Sequence, residues 1–196
     1  MPRATRQLID ESYWHITVRG NNRRPLFHRP DDYRAYLRLL REYGRRFPGT
    51  LIHHYCLMPN QVHLLVRMGL GPDFPRFMQG VNQSYYHHYR RTHGYSGHLF
   101  QGRYKSFAIR TESYLLECGR YIERNPVRAE MVRDPRHYPW SSYTFYAEGQ
   151  PDPLLTPSPL YEGLGAREFD RQLAYRDYVT ASRPYEALID RQLLGV

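Results

Sequence analysis

The chain has 196 residues, which suits one domain with an appendage, and its hydrophobic fraction of 41% and charged fraction of 24% are typical of a folded protein. No apolar run approaches the roughly 20 residues that a membrane-spanning helix needs. Residues 1–10 lack the apolar core of a secretory signal peptide. We therefore expect a cytoplasmic protein that has no membrane partner.

Positive charge is concentrated in the first part of the chain. Residues 1–146 contain 23 Lys and Arg against 11 Asp and Glu, whereas residues 147–196 contain 5 against 8. Every basic residue except Lys105 is Arg, whose guanidinium group suits phosphates and base edges. A GC-rich genome would explain the preference for Arg over Lys, but it would not explain the excess over acidic residues. The charge therefore predicts a basic, nucleic-acid-binding domain, 1–146, followed by an acidic helical tail, 147–196. Four prolines within residues 147–159 indicate that this tail begins with a linker.

The first predicted strand covers residues 13–18, which are rich in β-formers and alternate in polarity. A loop with Gly and Asn turn residues follows over 19–25. Its arginines, Arg19, Arg23 and Arg24, are candidate contacts to nucleic acid. A solvated loop is the simpler alternative for the same residues.

A first helix is predicted to begin at Asp31 and Asp32 and to end near Gly44. The second and third strands are predicted over 51–57 and 62–66. They are joined by a short turn, so they should be antiparallel neighbours.

A second helix is predicted from Asp73, and its exposed side carries Arg90 and Arg91, which are further candidate DNA contacts. A fourth strand is predicted over 103–109. A third helix should begin after a Thr111 cap and run to about residue 124. Pro126 disfavours helical geometry at the preceding residue, which places Asn125 at the helix end.

The order of these elements is β-α-β-β-α-β followed by a helix. It predicts an α+β fold, a ferredoxin-like four-stranded antiparallel sheet backed by helices, with a C-terminal helical extension. We expect the aromatic segment 138–143 to pack onto this domain, and two short helices over 169–176 and 185–194.

Two groups of residues indicate chemistry. Gln61 and His63 lie two apart on the third strand, so their side chains point to the same face. A polar pair on an otherwise apolar strand needs a partner, which could be a metal, a phosphate or water at the strand end. On the third helix, Tyr121 and Asn125 are spaced by four residues and share a face.

These residues lie in motifs that resemble those of the single-tyrosine transposases, and specifically the REP-associated tyrosine transposases. The stretch 57–66, Leu-Met-Pro-Asn-Gln-Val-His-Leu-Leu-Val, resembles the family's His-hydrophobic-His element, with Gln61 in the place of the first His. Residues 121–127 resemble the element Tyr-Ile-x-x-Asn-Pro-Val. Residues 97–106 resemble Gly-x-Leu-Trp-Gln-Gly-Arg-Phe-Lys-Ser. Together the motifs cover about residues 10–146.

The resemblance implies that Tyr121 is the catalytic nucleophile and that Gln61, His63 and Asn125 hold Mg²⁺ or Mn²⁺. It implies a DNA transposase-like enzyme, a single-strand endonuclease and strand-transferase, acting on hairpin-forming DNA through a 5′-phosphotyrosine intermediate. The expected partner is single-stranded or hairpin DNA, with Arg103 and Lys105 as further contacts, and the single tyrosine suggests a homodimer. The basic and aromatic mix of residues 97–106 suits stacking on unpaired bases.

Gln61 leaves an alternative open. An amide oxygen is a weaker ligand than imidazole for transition metals, although it suits Mg²⁺ or Mn²⁺. His53 or His54 on the neighbouring strand could compensate, or the chain could be a hairpin-DNA-binding protein that has lost cleavage. An RNA-binding module on the same fold is disfavoured, since such modules usually place aromatics on the central strand that here carries Gln61 and His63.

Overall fold

The computed structural model describes residues 12–69 and 73–182. Four strands form one sheet: β1 (Tyr13–Arg19), β2 (Leu51–Met58), β3 (Gln61–Arg67) and β4 (Lys105–Ile109). The helices are α1 (Pro30–Arg46), α2 (Asp73–His93), α3 (Glu112–Arg128), α4 (Tyr143–Glu148), α5 (Pro159–Glu162) and α6 (Glu168–Thr180).

The sheet has the strand order β2-β3-β1-β4, and all three strand pairs are antiparallel. This confirms the predicted ferredoxin-like α+β architecture. Helices α1 and α2 cover one face, where they enclose a large apolar core with Ile16, Leu64 and Val66. Helix α3 covers the opposite face, where Cys118 and Ile122 pack against Cys56 and Leu65.

Helix α1 continues past Gly44 to Arg46, so the predicted end at Gly44 was wrong. A glycine inside a helix costs about 1 kcal/mol relative to alanine. Burial of Tyr36 and Leu40 on the core side stabilises this helix by more than that. At its other end, the buried Asp32 carboxylate accepts the backbone N–H of Arg29 at 3.0 Å and so caps the first turn.

Helix α3 runs three residues beyond Asn125, so the prediction that Asn125 ends the helix was also wrong. Pro126 cannot donate the helical hydrogen bond to the Ile122 carbonyl. The Asn125 side-chain Nδ2 donates to that carbonyl at 3.2 Å and to the Tyr121 carbonyl at 3.0 Å. The side-chain amide thus replaces the missing backbone donor, which lets the helix continue.

The segment after α3 returns to the sheet, as predicted for residues 138–143. Tyr138 donates its hydroxyl to the Leu57 carbonyl at 2.6 Å, and the Trp140 ring stacks on Tyr33 with 4.6 Å between centroids. The Pro-rich segment lies beside β2, where the Thr156 N–H donates to the Ile52 carbonyl at 2.9 Å.

Helix α6 contains the predicted helix 169–176 and packs on α3 and α4. The predicted helix 185–194 lies outside the described residues, and the domain boundary at residue 146 stays a prediction. None of the helices in residues 12–69 and 73–182 combines the length and apolar character that crossing a bilayer requires.

Candidate functional site: a tyrosine over a polar strand pair

The register of β1 and β3 defines the face on which the predicted site lies. Arg19 is paired with Gln61, and Thr17 is paired with His63, so these four side chains share one face of the sheet. Gln61 and His63 therefore point the same way, toward the side that α3 covers.

Helix α3 places Tyr121 over this face. The Tyr121 ring lies 6.1 Å from the His63 ring and 5.6 Å from the His15 ring, measured between centroids, and meets both edge-on. The two imidazoles are 5.4 Å apart, with 3.1 Å between His15 Nε2 and His63 Nδ1. The three rings are buried, and Tyr121 retains 6% of its exposure. The sequence motifs thus meet in space as a tyrosine that contacts a histidine pair edge-on.

His15 is a member of this cluster that the sequence analysis missed. It lies two residues before Thr17 and four before Arg19 on β1. The two-residue period of a strand therefore already places it on the same polar face. Its Nε2 engages Nδ1 of His63, which fixes the orientation of the His63 ring. Because this contact occupies Nδ1 of His63, Nε2 of His63 is the nitrogen that can bind a ligand.

The electrostatics keep His63 neutral. Burial lowers the pKa of His63 well below its ordinary value, and the neighbouring His15, Arg128 and Arg19 lower it further. Neutral imidazole is the form that offers a lone pair to a metal or accepts a proton.

Arg128 is a second residue that the sequence analysis missed. Its guanidinium carbon lies 5.0 Å from the centre of the Tyr121 ring. The spacing of seven residues on one helix puts Arg128 on the same side as Tyr121 and Asn125. A permanent positive charge therefore stands beside the predicted nucleophile.

The predicted metal ligands offer one imidazole nitrogen and two amide oxygens. The side-chain Nδ2 of Asn125 donates to backbone carbonyls of the helix. The side-chain oxygen, Oδ1, is therefore the Asn125 atom that could bind a cation. Within the described residues there is no group of three or more His, Cys, Asp and Glu side chains that could hold a metal ion. The donor set of Gln61, His63 and Asn125 thus fits an oxygen-preferring cation such as Mg²⁺ or Mn²⁺ better than a zinc-type ion.

His53 and His54, suggested as compensating ligands, have other partners. His54 Nδ1 lies 2.9 Å from the Glu123 carboxylate, and His53 Nδ1 lies 2.9 Å from the Thr156 carbonyl. The structure therefore gives both histidines structural contacts instead of a place beside Gln61.

Two of the predicted DNA contacts adjoin the site. Lys105 is paired with Thr17 across β1 and β4, and Arg19 is paired with Gln61, so both cations lie on the site's face and are exposed. Arg103 is exposed in the turn that precedes β4, which begins at Lys105 and not at Arg103 as predicted.

The other predicted contacts lie away from Tyr121. Arg23 and Arg24 are exposed on the loop after β1, and Arg90 and Arg91 are exposed at the end of α2, the helix on the opposite face. The Arg24 guanidinium lies 4.4 Å above the Tyr95 ring.

The aromatic part of residues 97–106 points inward, contrary to the expected stacking surface. Tyr104 is 7% exposed, and its ring packs edge-on against Phe74 at 5.4 Å. Phe100 is half-buried and packs on the same core. This segment therefore contributes Arg103 and Lys105 to the surface, while its aromatic rings stabilise the fold.

Comparisons with known proteins identify the family and a similar fold. The model of a family described as "Transposase IS200 like" matches residues 9–125. The fold is similar to the structure of a REP-associated tyrosine transposase bound to a REP hairpin, with a TM-score of 0.64 and 21% identity, over 81% of this chain and 93% of that one. A putative transposase from Deinococcus radiodurans R1 aligns with a TM-score of 0.41 and 18% identity, over 63% of this chain and 97% of that one. No curated protein matches the sequence.

Proposed function

The chain belongs to the IS200-like transposases, and from that premise we propose that it cleaves and rejoins single-stranded DNA beside a hairpin, with Tyr121 as nucleophile. The observation that carries this proposal is the position of Tyr121 over His63 and His15, with Arg128 beside its ring. The hairpin substrate is suggested by the similar structure, which is described as bound to a REP hairpin.

In the proposed reaction the Tyr121 hydroxyl oxygen attacks a backbone phosphorus atom. A phosphotyrosine bond to the 5′ side of the downstream strand forms, and the bond from phosphorus to the 3′ oxygen breaks. The phenol loses its proton, and the leaving 3′ oxygen gains one. Because one phosphoester replaces another, a 3′ hydroxyl can later reverse the step without an energy source.

The side chains around Tyr121 have distinct tasks in this reaction. Arg128, whose guanidinium carbon lies 5.0 Å from the centre of the Tyr121 ring, would stabilise negative charge that develops on the phosphate during the attack. Arg19 and Lys105, on the exposed edge of the same face, would hold the phosphates on either side of the scissile bond. His15 keeps the His63 ring oriented.

Gln61, His63 and Asn125 would hold Mg²⁺ or Mn²⁺. Such an ion neutralises a non-bridging phosphate oxygen and makes phosphorus easier to attack. The two amide oxygens are neutral, so they leave more of the cation's charge for the phosphate than carboxylates would.

The test is covalent capture of DNA. A hairpin with a single-stranded flank, labelled at its 3′ end, is incubated with the protein and Mn²⁺ and then run on a denaturing gel. We expect a labelled protein–DNA band with the wild type and with Tyr114→Phe, a control on the same helix, but none with Tyr121→Phe. An adduct that persists in Tyr121→Phe would assign the nucleophile to another residue.

A second candidate is a protein that binds hairpin DNA without cutting it. Gln61, which stands in place of an imidazole ligand, favours this candidate. Hairpin binding by wild type that is tight and metal-independent, without any adduct at any Mn²⁺ concentration, would select it.

A further inference from the structure

A cleft of about 430 Å³ opens beside the loop that follows β1. It is lined by Asn21, Asn22, Arg24, Pro25, His28 and Tyr89. Its volume falls in the range of pockets that accept small organic ligands, roughly 300–1,000 Å³. No carboxylate is among these lining residues, while Arg24 contributes a positive charge. Tyr121 is not among its lining residues, and the proposed reaction does not use the cleft.

The walls of the cleft are fixed by hydrogen bonds. The Tyr89 hydroxyl lies 2.8 Å from His28 Nε2 and 3.4 Å from the Pro25 carbonyl. The backbone N–H of His28 donates to the buried Asp32 carboxylate at 2.9 Å. Although burial alone would raise it, hydrogen bonds from His28, His93 and Arg29 hold the pKa of Asp32 below its usual value. Asp32 therefore stays ionised and anchors this wall.

The loop that forms the opposite wall is also held in place. The Asn21 N–H donates to the Leu99 carbonyl at 2.8 Å, and Asn60 Nδ2 donates to the Arg23 carbonyl at 3.2 Å. Asn22 adopts a left-handed conformation, with φ of 49°. Asparagine tolerates this conformation better than most residues, so the loop can present two adjacent side-chain amides.

The loop of the cleft neighbours the start of β3, where Gln61 lies. Gly20, next to Asn21, donates its N–H to the Asn60 carbonyl at 2.9 Å, and Asn60 directly precedes Gln61. Arg19, one residue earlier, is paired with Gln61. A DNA strand bound at the start of β3 would therefore pass beside the loop that forms one wall of the cleft.

We infer that this cleft binds one unpaired nucleobase of the DNA substrate. Side-chain amides carry a donor and an acceptor side by side, which matches the edge of a base, and this gives Asn21 and Asn22 the reading role. The exposed Pro25 offers an apolar surface for the base, while Tyr89 lines the cleft as a buried residue. The exposed Arg24, whose guanidinium carbon lies 4.4 Å from the centre of the Tyr95 ring, offers a positive charge for the phosphate. The inference rests on the proposed function for the identity of the ligand as DNA, but it does not require cleavage.

The test is a double-mutant cycle between the cleft and the DNA. Hairpins with single-stranded flanks carry an abasic residue at one unpaired position at a time, and binding to full-length protein is measured by fluorescence anisotropy. Wild type is compared with Asn21→Ala and with Asn22→Gly, which removes an amide while keeping the left-handed backbone accessible. His87→Ala, an exposed change on α2 outside the cleft, is the matched control. Thermal unfolding verifies that each variant is folded.

We expect one unpaired position at which loss of the base weakens wild-type binding about tenfold. At that position the same abasic change should have almost no further effect on Asn21→Ala or Asn22→Gly, while His87→Ala should respond as wild type does. If the abasic change and the Asn21 or Asn22 substitution weaken binding independently at every position, while hairpin binding and cleavage stay intact, the cleft does not bind a base. The proposed function would be unaffected. If wild type does not bind the hairpin at all, both fail together.

Discussion

The two faces of one sheet differ in chemistry although the same strands build them. Toward α1 and α2, β1 and β3 present only apolar side chains: Trp14, Ile16, Val18, Val62, Leu64 and Val66. Toward α3, the same strands present Tyr13, His15, Thr17, Arg19, Gln61, His63, Leu65 and Arg67. The first face is an ordinary core, and the second buries polar groups that must find partners.

This difference separates stability from chemistry within a single strand. A buried imidazole costs free energy unless it is hydrogen-bonded, and His63 meets this cost through His15. Because apolar burial on the α1–α2 face stabilises the fold, the α3 face can retain groups that contribute little to folding. Of two adjacent residues of β3, mutation of the one on the apolar face should therefore lower stability, and mutation of the one on the α3 face should lower activity.

The largest effect on stability should come from Leu64→Ala. Leu64 is fully buried on the apolar face, and removing a side chain of this kind costs about 2–5 kcal/mol. We expect His63→Ala, one residue away, to cost less and yet to abolish the covalent DNA adduct. Urea denaturation and the labelled-hairpin assay measure the two effects.

The informative outcome is that the variant with the larger loss of stability keeps the adduct, while the more stable variant loses it. Leu64→Ala should still form the adduct at a temperature where it is folded. If His63→Ala destabilised the protein as much as Leu64→Ala does and still formed the adduct, His63 would serve packing and the site would lie elsewhere.

Glu123 offers the next test, because it ties the polar face to the C-terminal helices. It is fully buried and accepts hydrogen bonds from His54 at 2.9 Å, Ser142 at 2.6 Å and Tyr175 at 2.7 Å. Glu123→Gln puts an amide N–H₂ where one of these donors points. We expect a loss of about 2–3 kcal/mol in unfolding free energy.

Glu117→Gln on the same helix is the comparison variant, since that carboxylate is partly exposed, accepts the Tyr178 hydroxyl and lies 3.9 Å from the Arg120 guanidinium. It should cost less than Glu123→Gln, because a partly exposed group loses less when a partner is removed. Equal losses in the two variants would mean that the buried cluster does not anchor the C-terminal region.

His53 predicts a pH dependence of stability. Burial lowers its pKa from about 6.5 to about 4, and Nε2, the nitrogen that a proton would occupy, has no hydrogen-bond partner within the described residues. The unfolded chain therefore binds this proton more readily, and stability falls as the pH drops from 6.5 to 4. The loss is at most about 3.5 kcal/mol, because each pKa unit is worth about 1.4 kcal/mol.

His53→Gln should flatten this part of the pH profile, measured by thermal unfolding between pH 7 and 4.5. The exposed His87→Gln should leave the profile unchanged. If the slope is the same in wild type and His53→Gln, other groups cause the acid sensitivity.

Short-range periodicity predicted the sheet, and the resemblance of the motifs to those of a known family implied that Tyr121 and His63 belong to one site. The sequence analysis missed His15 and Arg128, since their roles depend on which strand and which helix turn lie beside His63. It also misjudged Asn125, because a proline rule applies to the backbone alone and the Asn125 side chain supplies the missing hydrogen bond. The orientation of Tyr104 was likewise a matter of packing, which local pattern does not determine.

The smallest expected effect on stability comes from Gln61→His. Gln61 lies on the same face as His63 at the partly exposed start of β3, so an imidazole should fit with a change below about 1 kcal/mol. It would restore the two-His pair of the family motif and bind Mn²⁺ more strongly than an amide oxygen does. We therefore expect half-maximal cleavage of a hairpin at a lower Mn²⁺ concentration.

The comparison that gives this result meaning uses wild type, Gln61→His and His63→Ala in one Mn²⁺ titration. If Gln61→His needs as much metal and cuts no faster, while His63→Ala is inactive, Gln61 is an adapted ligand whose amide oxygen serves the cation as well as an imidazole would. If all three cleave alike, Gln61, His63 and Asn125 do not hold the metal. The polar face of the sheet would then serve DNA binding alone, through Arg19 and Lys105.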